Sequence, residues 1–522
     1  MMDQNYLDTA HLLRRAGFGA GPDETRAAAS RGLAAVTDDL LHPERVPDPL
    51  NDDQIIGRLT DLIPEGQRMA KNGREYLPLQ VVKLWWTIRL LASPHPLVEK
   101  MTLFWHGHFT SKDGGQAGDF MLRQNQMFRQ NALGNFRTLT LAVSRDPEML
   151  RYLNGNQNFK AHPNENYGRE LMELYTCGIG HYTEDDVKAA ARAFSGWNLR
   201  GGEFYFNARQ HDNDSKTFLG KTGNWNGDDI VDILVAHPAT AKRLCTQLFT
   251  AFAYPNPEPA VLDALTKTYY ASGYDIRAIL GQIFRSQAFY SARARSAVIK
   301  CPVQYVIGSV KMLGLAHTVP TNPSDISPAN DMAAASASAG MATPPQQMRG
   351  RRIGGLAGLP IAMRAMGQDI LDPPSVKGWD GGPAWINTAT MMARLNFANT
   401  LSQSREAFGG QFVRAVNYVQ QRDFTPEQWV DYLAFTLGPL QLTPQTRQTL
   451  IDYVNSAGEF REDAAPQVPA VQDIADAQNP LATPPGYRRA RRFVQRPGPG
   501  GLEGRLRGVI PLMMATPEYQ VC

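Results

Sequence analysis

The chain has 522 residues, of which 43% are hydrophobic and 20% are charged, and this composition predicts a folded protein with more than one simple core. Its 53 basic and 50 acidic residues leave a formal net charge of only +3, which gives no electrostatic reason to expect nucleic acid as a partner. No apolar run approaches the ~18 uncharged residues that cross a bilayer, so we expect no membrane span.

The cysteines and the N-terminal stretch narrow the classes of protein further. The four cysteines are far apart and form no CxxC pair, which argues against a zinc ribbon, a thioredoxin site or a disulfide framework. The first stretch, MMDQNYLDTAHLLRRAGFGAGPDE, lacks the hydrophobic region of a signal peptide. We therefore expect a cytoplasmic protein, with export to the periplasm on a partner as the alternative.

Helical periodicity dominates the chain from its start, and the predicted class is mainly α, a multi-helix fold with a few short strands. DTAHLLRRAGFG opens with Asp8 as its expected cap, and LQVVKLWWTIRLLA (79–92) and PLVEKMTLFWHGHF, which begins at Pro96, follow as helices. Further along, Thr183 and Asp186 have the spacing of a capping box. GEFYFNAR (202–209) alternates as a short hairpin strand does.

Two low-complexity segments divide the chain. Both are rich in proline and alanine and contain too little apolar bulk to offset their ordering entropy. The five arginines of the second segment could touch phosphate, but a solvated charge run is the more frequent explanation. We expect five parts: a helical N-terminal part with the His and Glu motifs (1–321), a linker (322–352), a helical part with a Trp/Gly loop (353–462), a Pro/Ala/Arg-rich loop (463–503) and a C-terminal helix packed on the main body (504–522).

The stretch NENYGRELMELYTCG (164–178) concentrates polar side chains on one side of a predicted helix. At about 100° per residue, five of them fall within roughly a 100° arc: Asn166, Arg169, Glu170, Glu173 and Cys177. Ion pairs four residues apart, centred on Arg169, would explain the stripe as an ordinary solvent-exposed face. The alternative is the wall of a buried polar site, with Glu170, Glu173 and Arg169 as catalytic candidates and Asn166 as a substrate-binding candidate.

Histidines supply the candidate metal ligands. FWHGHFT places His106 and His108 two residues apart among aromatic side chains; on a helix they would point about 200° apart, and on an extended segment they would share a face. Core histidines bonded to the backbone are the common alternative. RQHDNDSKTFLG adds His211 and Asp212, although an Asx-turn explains such loops as well. Together with the two glutamates, these residues have the composition of a nitrogen/oxygen site for a divalent metal ion, without a recognised spacing.

A loop rich in glycine, proline and tryptophan supplies the remaining candidates. DPPSVKGWDGGPAWIN (372–387) cannot be helical across its paired prolines and is an unfavourable helix at its paired glycines. Trp379 and Trp385 either pin this loop by their burial or offer their rings to a ligand, and Lys377 could border the site. These three are candidate substrate-binding residues. The sequence contains no GxSxG elbow, Walker A loop or dinucleotide-binding glycine pattern.

At this point the motifs resemble a known family. LLRRAGFGAGPDE, FWHGHFT, DPEMLRYLNGNQN, NENYGRELMELYTCGIGHYTEDDVKAAARAFSGW, HDNDSKTFLG and DPPSVKGWDGGPAWINTATMMARL resemble the bacterial family called domain of unknown function 1800, from about Leu12 to the C-terminal MMATPEYQ. The resemblance implies a predominantly helical fold and supplies no catalytic residues. It also implies a partner, because many relatives are encoded beside a second family, number 1501, whose members resemble sulfatases and alkaline phosphatases and often carry twin-arginine export signals.

Two functions of different class follow. The first is a metal-dependent enzyme, a hydrolase by reaction class, in which the histidines and Asp212 hold the ion and a spare carboxylate acts as base on metal-bound water. In it, Arg169 would face an anionic substrate. The second is a binding or escort partner of an exported sulfatase- or phosphatase-like protein. Binding of a carbohydrate by Trp379 and Trp385 is a third and weaker hypothesis.

Overall fold

Helices form most of the structure, a computed structural model that describes residues 3–63, 70–71, 74–113, 118–316, 355–403, 424–456 and 502–522. The predicted mainly α class is confirmed. The low-complexity segment at 322–352 lies outside the described residues, and so does the segment at 463–503 apart from its last two residues. The division of the chain into five parts therefore stays a prediction.

Among the described residues, seventeen helices precede the low-complexity linker. They are α1 (Gln4–Ala16), α2 (Pro22–Arg31), α3 (Leu33–Leu41), α4 (Asp52–Asp61), α5 (Leu79–Ala92), α6 (Pro96–His108), α7 (Gly118–Gln130), α8 (Phe136–Ser144), α9 (Pro147–Tyr152), α10 (Asn166–Glu170), α11 (Glu184–Ala193), α12 (Gly227–Val235), α13 (Pro238–Phe252), α14 (Pro259–Ala271), α15 (Ile276–Phe284), α16 (Gln287–Tyr290) and α17 (Pro302–Met312).

The helices that follow the linker are α18 (Gly358–Ala365), α19 (Thr388–Gln403), α20 (Pro426–Thr436), α21 (Pro444–Asn455), α22 (Leu502–Ala515) and α23 (Pro517–Gln520). Short 3₁₀ turns occur at Pro43–Arg45, Gly155–Gln157, Ala208–Gln210 and Gly382–Trp385, the last of them inside the Trp/Gly loop.

The strands that the structure describes pair into small antiparallel ribbons. They are β1 (Ala70–Lys71) with β2 (Arg74–Glu75), β3 (Trp197–Arg200) with β4 (Glu203–Phe206), and β5 (Lys216–Phe218) with β6 (Lys221–Gly223). The predicted strand at 202–209 is β4, and its partner β3 precedes it directly, with Trp197 opposite Phe206. This confirms the hairpin.

Helix starts are set by local capping where the sequence offers a clear cap. Thr183 and Asp186 form the predicted capping box at α11, in which each side chain accepts from the other's backbone N–H. The expected cap at Asp8 is wrong. The α1 helix starts one turn earlier and Asp3 caps it, whereas Asp8 forms an ion pair with Arg295.

Two hydrophobic cores organise the helices. The first surrounds α5, whose side chains from Val81 to Leu91 are all buried, and includes α17 to α23. The second includes α8 to α15. The α6 helix contributes to both, since Leu103 lies in the first core while Trp105 lies in the second. The α6 helix is therefore fixed from both sides. In the ranges listed above, no helix is long and apolar enough to cross a membrane.

A buried ion network joins the N-terminal helices. Glu99 of α6 is 1% exposed and accepts hydrogen bonds from Arg89 Nε at 2.9 Å, Arg129 Nε at 2.8 Å and Trp86 Nε1 at 3.2 Å. Burial acts to raise the pKa of Glu99, but Arg129 and Arg89 outweigh it and hold that pKa below its usual value. Glu99 thus pairs with two guanidinium groups, of which that of Arg89 also pairs with Asp48 and Asp52.

We expect Glu99→Gln to lower the free energy of unfolding by about 3–5 kcal/mol, because loss of one partner leaves buried charges uncompensated. Urea unfolding measures this change. Glu184→Gln is the matched control: Glu184 pairs with Arg169 on the surface, where screening by water makes the loss too small to measure. A Glu99→Gln protein as stable as this control would contradict the expectation.

Candidate functional site

The stretch NENYGRELMELYTCG does not continue as a regular α-helix. The α10 helix passes directly into one turn of π-helix, Leu171–Tyr175, which we call the π-turn. Such turns are rare and occur often at functional sites, because the extra residue changes the direction of the side chains that follow. Leu171 and Tyr175 are fully buried, so they anchor the turn in the second core.

The first part of the stretch is a surface. Arg169 forms ion pairs with Glu165 at 3.1 Å and with Glu184 of α11 at 2.7 Å, and its side chain is 33% exposed. Asn166 is exposed. The ion pair expected between Arg169 and Glu173 is not among these contacts; the guanidinium instead reaches α11. The geometry therefore gives Arg169 and Asn166 the solvent-exposed role that the stripe first suggested.

Glu170 and Glu173 lie differently, since both are half-buried. Burial raises the pKa of Glu170, the charge of neighbouring Glu173 raises it further, and Arg169 opposes both effects. Glu173 accepts a hydrogen bond from Tyr182 Oη at 2.9 Å, and burial raises the pKa of that phenol to about 12, with Glu173 adding to the shift. Glu170 and Glu173 are thus two carboxyl groups in different surroundings, and such groups can exchange protons with a ligand.

An open pocket of about 870 Å³ lies beside the π-turn, and we call it the π-turn pocket. It is lined by Glu173, Leu174, Cys177, Gly178, Ile179, His181, His237, Pro238, Ala239, Lys242, Arg243 and Lys377. Of the residues predicted from sequence, Glu173 and Lys377 thus share one pocket. Lys377 is exposed and forms an ion pair with Asp380 at 3.1 Å.

The loop at 372–387 docks on the C-terminal end of α6. Gly378 has φ of +87°, and a Cβ there would lie 3.0 Å from both Gly107 O and Thr110 Oγ1, so this close approach requires glycine. Trp385 is 8% exposed, which makes it an anchor of the loop rather than a ring offered to a ligand. Trp379 is half-buried.

The two histidines of FWHGHFT are both in α6 and serve as core side chains. His106 Nε2 lies 3.0 Å from Asn125 Nδ2, its ring packs on Trp86 and Phe128, and burial lowers its pKa to about 3. His108 Nε2 donates to the carbonyl oxygen of Tyr175 at 2.9 Å, and burial lowers its pKa to about 4. Their helical spacing keeps them from sharing one ion.

The remaining predicted ligands also have other partners. His211 Nδ1 donates to the carbonyl oxygen of Ser195 at 2.8 Å, and Asp212 forms an ion pair with Arg192 at 2.7 Å. Across the part of the chain that the structure describes, no group of three or more His, Cys, Asp or Glu side chains could hold a metal ion. His106, His108, His211 and Asp212 thus do not form such a group, since the imidazoles bond to backbone and amide partners and Asp212 pairs with Arg192. The divalent metal site stays a prediction.

The order of these motifs identifies the family. The family model described as Protein of unknown function (DUF1800) matches residues 11–521, nearly the whole chain. The chain belongs to this family. The resemblance inferred from the motifs is thereby confirmed, and the π-turn and the loop that docks on α6 are features of a DUF1800 protein. No curated protein and no solved structure matches the chain, and so these comparisons assign no role to any residue.

Three residues in or beside the π-turn pocket were missed from the sequence: His237 and Arg243, which line it, and Tyr182, which bonds to its Glu173. Tyr182 follows the polar stretch after a glycine turn and could have been found by extending it, since a phenol near two carboxylates is a common proton partner. His237 and Arg243 gave no such signal. They lie on the turn before α13 and on α13 itself, and only the tertiary fold brings them to the π-turn.

A second buried acid was also missed, in the motif DPEMLRYL. Glu148 of α9 is 2% exposed, and its Oε2 has no hydrogen-bond partner. Burial raises the pKa of Glu148 to about 8, with Asp113 and Asp146 adding to the shift and Arg151 opposing it. Glu148 therefore retains its proton at neutral pH, where an ordinary glutamate is ionised.

This acid predicts a pH effect with a definite sign. The folded state binds the Glu148 proton up to pH about 8, and the unfolded state only up to 4.5, so stability falls as the pH rises between these values. We expect Glu148→Gln to gain stability relative to wild type by about 1.4 kcal/mol per pH unit across this window. Urea unfolding at pH 5 and pH 8 measures it; an equal difference at both pH values would contradict the assignment.

Proposed function

We propose that the edge of the π-turn pocket, where Glu173 lines the pocket and Glu170 directly precedes the π-turn, is the acid–base site of an enzyme and that its reaction is a hydrolysis. The observation that carries the proposal is the pair formed by Glu170, whose pKa is raised by burial and by Glu173, and Glu173, which is held by Tyr182. Pairs of acidic groups whose environments differ are the usual means of assigning an acid and a base near neutral pH.

Each carboxyl group has a distinct role in this proposal. The Glu173 carboxylate, oriented by the Tyr182 hydroxyl, removes a proton from water while the water oxygen attacks the electrophilic atom of the substrate. Glu170 retains its proton to a higher pH than an ordinary glutamate and gives it to the leaving group. The open pocket supplies the water. Neither role requires a metal ion.

Positive charge completes the site. Arg243 and Lys377 line the pocket together with Glu173, and either can face negative charge that develops on the substrate in the transition state. Neighbouring Arg169 is not needed for this role, since its guanidinium is occupied by Glu165 and Glu184.

We expect hydrolysis of at least one class in a panel of 4-nitrophenyl acetate, phosphate, sulfate and β-glucoside. Glu173→Gln should lower kcat/KM by about 100-fold or more, the size of a general-base contribution. Glu170→Gln should lower it less, because 4-nitrophenolate leaves readily without a proton. Tyr182→Phe should have a smaller effect, because it orients Glu173 and transfers no proton to the substrate. Release of 4-nitrophenol, followed by absorbance, measures all of these rates.

Glu184→Gln is the matched control for this series, because it removes an exposed carboxylate that is paired with Arg169 and has no role in the proposed acid–base pair, and its rate should equal that of wild type. The proposal fails if wild-type rates equal those of the Glu170→Gln/Glu173→Gln double variant for every substrate of the panel. Circular dichroism of each variant separates a loss of chemistry from a loss of fold.

The escort function stays a prediction beside this one. A partner of the number 1501 family, exported with the chain bound to it, would make the chain a binding protein, and the two functions are compatible. Activity of the isolated chain favours the enzyme. Co-purification with a tagged partner, and export that depends on that partner, would support the escort role.

A further inference from the structure

We infer that the π-turn pocket binds an anionic ligand with an aliphatic part, and that Arg243 holds its charged end. The inference rests on the proposed function, because it names the substrate class of the same pocket. It also makes a claim about binding that can be tested without any turnover.

Arg243 is the side chain that carries the inference. It is half-buried, and its Nη2 donates to the carbonyl oxygen of Leu174 at 3.0 Å, while its Nε is buried and has no hydrogen-bond partner. The structure records no ion pair between Arg243 and a carboxylate of the described residues. Burial lowers the pKa of Arg243, and nearby Cys177 and Glu173 oppose this shift without forming an ion pair with the guanidinium.

A planar guanidinium with unused N–H groups fits one class of ligand best. Carboxylates and phosphate or sulfate groups accept two parallel hydrogen bonds from arginine, and these charge-assisted bonds are stronger than neutral ones. Nε itself is enclosed by protein, but Arg243 lines the pocket, so its other N–H groups can meet an oxyanion there.

The charge on the pocket wall agrees with this choice. Three basic side chains, Lys242, Arg243 and Lys377, share the pocket with one acidic side chain, Glu173. Lys377 is partly balanced by Asp380, and Glu173 is engaged by Tyr182. Positive charge in a concave site attracts and retains anions.

The lining of the π-turn pocket also contains apolar side chains. They are Leu174, Ile179, Pro238 and Ala239. Ile179 is 76% exposed although it is a large aliphatic side chain. Covering such a side chain removes apolar area from water and is favourable. An aliphatic segment attached to the anionic group would lie against Ile179 while the charged end reaches Arg243.

The same geometry relates the bound anion to the acid–base pair. Arg243 donates to Leu174, the residue that directly follows Glu173 in the π-turn. An anion on the guanidinium is therefore held beside the carboxylate that we propose as the base. The charge of Glu173 itself opposes anion binding, which gives a diagnostic variant.

The test uses octanoate and octyl phosphate as probes of the full chain, with acetate and octyltrimethylammonium as comparisons, by isothermal titration calorimetry. We expect octanoate to bind at least tenfold more tightly than either comparison, and more weakly as salt is added. The tighter of octanoate and octyl phosphate identifies the head group, and either supports the inference.

Variants locate the binding. Arg243→Met should weaken octanoate binding at least tenfold, and Ile179→Ser several-fold, whereas Glu173→Gln should strengthen it because one negative charge leaves the pocket. Lys188→Met is the matched control, since this exposed lysine lies outside the pocket and should change nothing. Tyr182→Phe keeps the three basic side chains and the one acidic side chain of the pocket. It should therefore bind octanoate as wild type does, which verifies that the other effects follow charge.

The outcomes separate this inference from the proposed function. Equal affinity for octanoate and octyltrimethylammonium, or an Arg243→Met protein that binds octanoate as wild type does, overturns the anion site. Ester hydrolysis that still depends on Glu170 would then leave the enzyme proposal intact. Conversely, octanoate binding that depends on Arg243, in a chain that hydrolyses no ester, supports the anion site and refutes the hydrolase.

Discussion

The candidate site depends on a reciprocal pair of hydrogen bonds at the C-terminal end of α6. His108 donates to the carbonyl oxygen of Tyr175 at 2.9 Å, and the Tyr175 hydroxyl donates to the carbonyl oxygen of Thr110 at 3.2 Å. Each side chain thus satisfies a buried carbonyl of the other segment, and an unpaired buried carbonyl would be costly. The π-turn and the end of α6 are fixed to each other by these two bonds, and Gly378 brings the tryptophan loop to the same place.

This arrangement explains why the α6 histidines have partners within the protein. A buried imidazole that donates to a carbonyl must remain neutral to avoid the cost of an uncompensated charge, and burial lowers the pKa of His108 to about 4 accordingly. His106 is surrounded by Trp86, Phe128 and Asn125 in the same way. The HxH motif therefore supports the site through packing, by holding the turn that carries the carboxylates.

Features that depend on a few neighbouring residues could be predicted from the sequence. The α5 helix has the predicted bounds, 79–92, and the Thr183–Asp186 box forms, because periodicity and capping are local. Contacts that depend on distant segments could not. Asp8 pairs with Arg295 and does not cap a helix. Arg169 pairs with Glu184 of the next helix and not with Glu173.

The candidate site is likewise only partly predictable from local sequence. Glu170, Glu173 and Lys377 could be singled out because polar stretches and an unusual loop mark them in the sequence. The π-turn could not be foreseen, since a helical wheel assumes one constant angle per residue. Arg243 and His237 were invisible because α13 reads as an ordinary amphipathic helix, and its role depends on where the second core places it.

The α13 helix has one further consequence, which follows from its polar contact with the π-turn. Arg243 donates to the carbonyl oxygen of Leu174, and the next carbonyl, that of Tyr175, accepts from His108 of α6. Two adjacent carbonyls of the turn are thus held by two different helices. A ligand that drew the guanidinium away from Leu174 would release the first carbonyl and leave the second bonded to α6. Occupancy of the π-turn pocket would then alter the backbone directly next to Glu173.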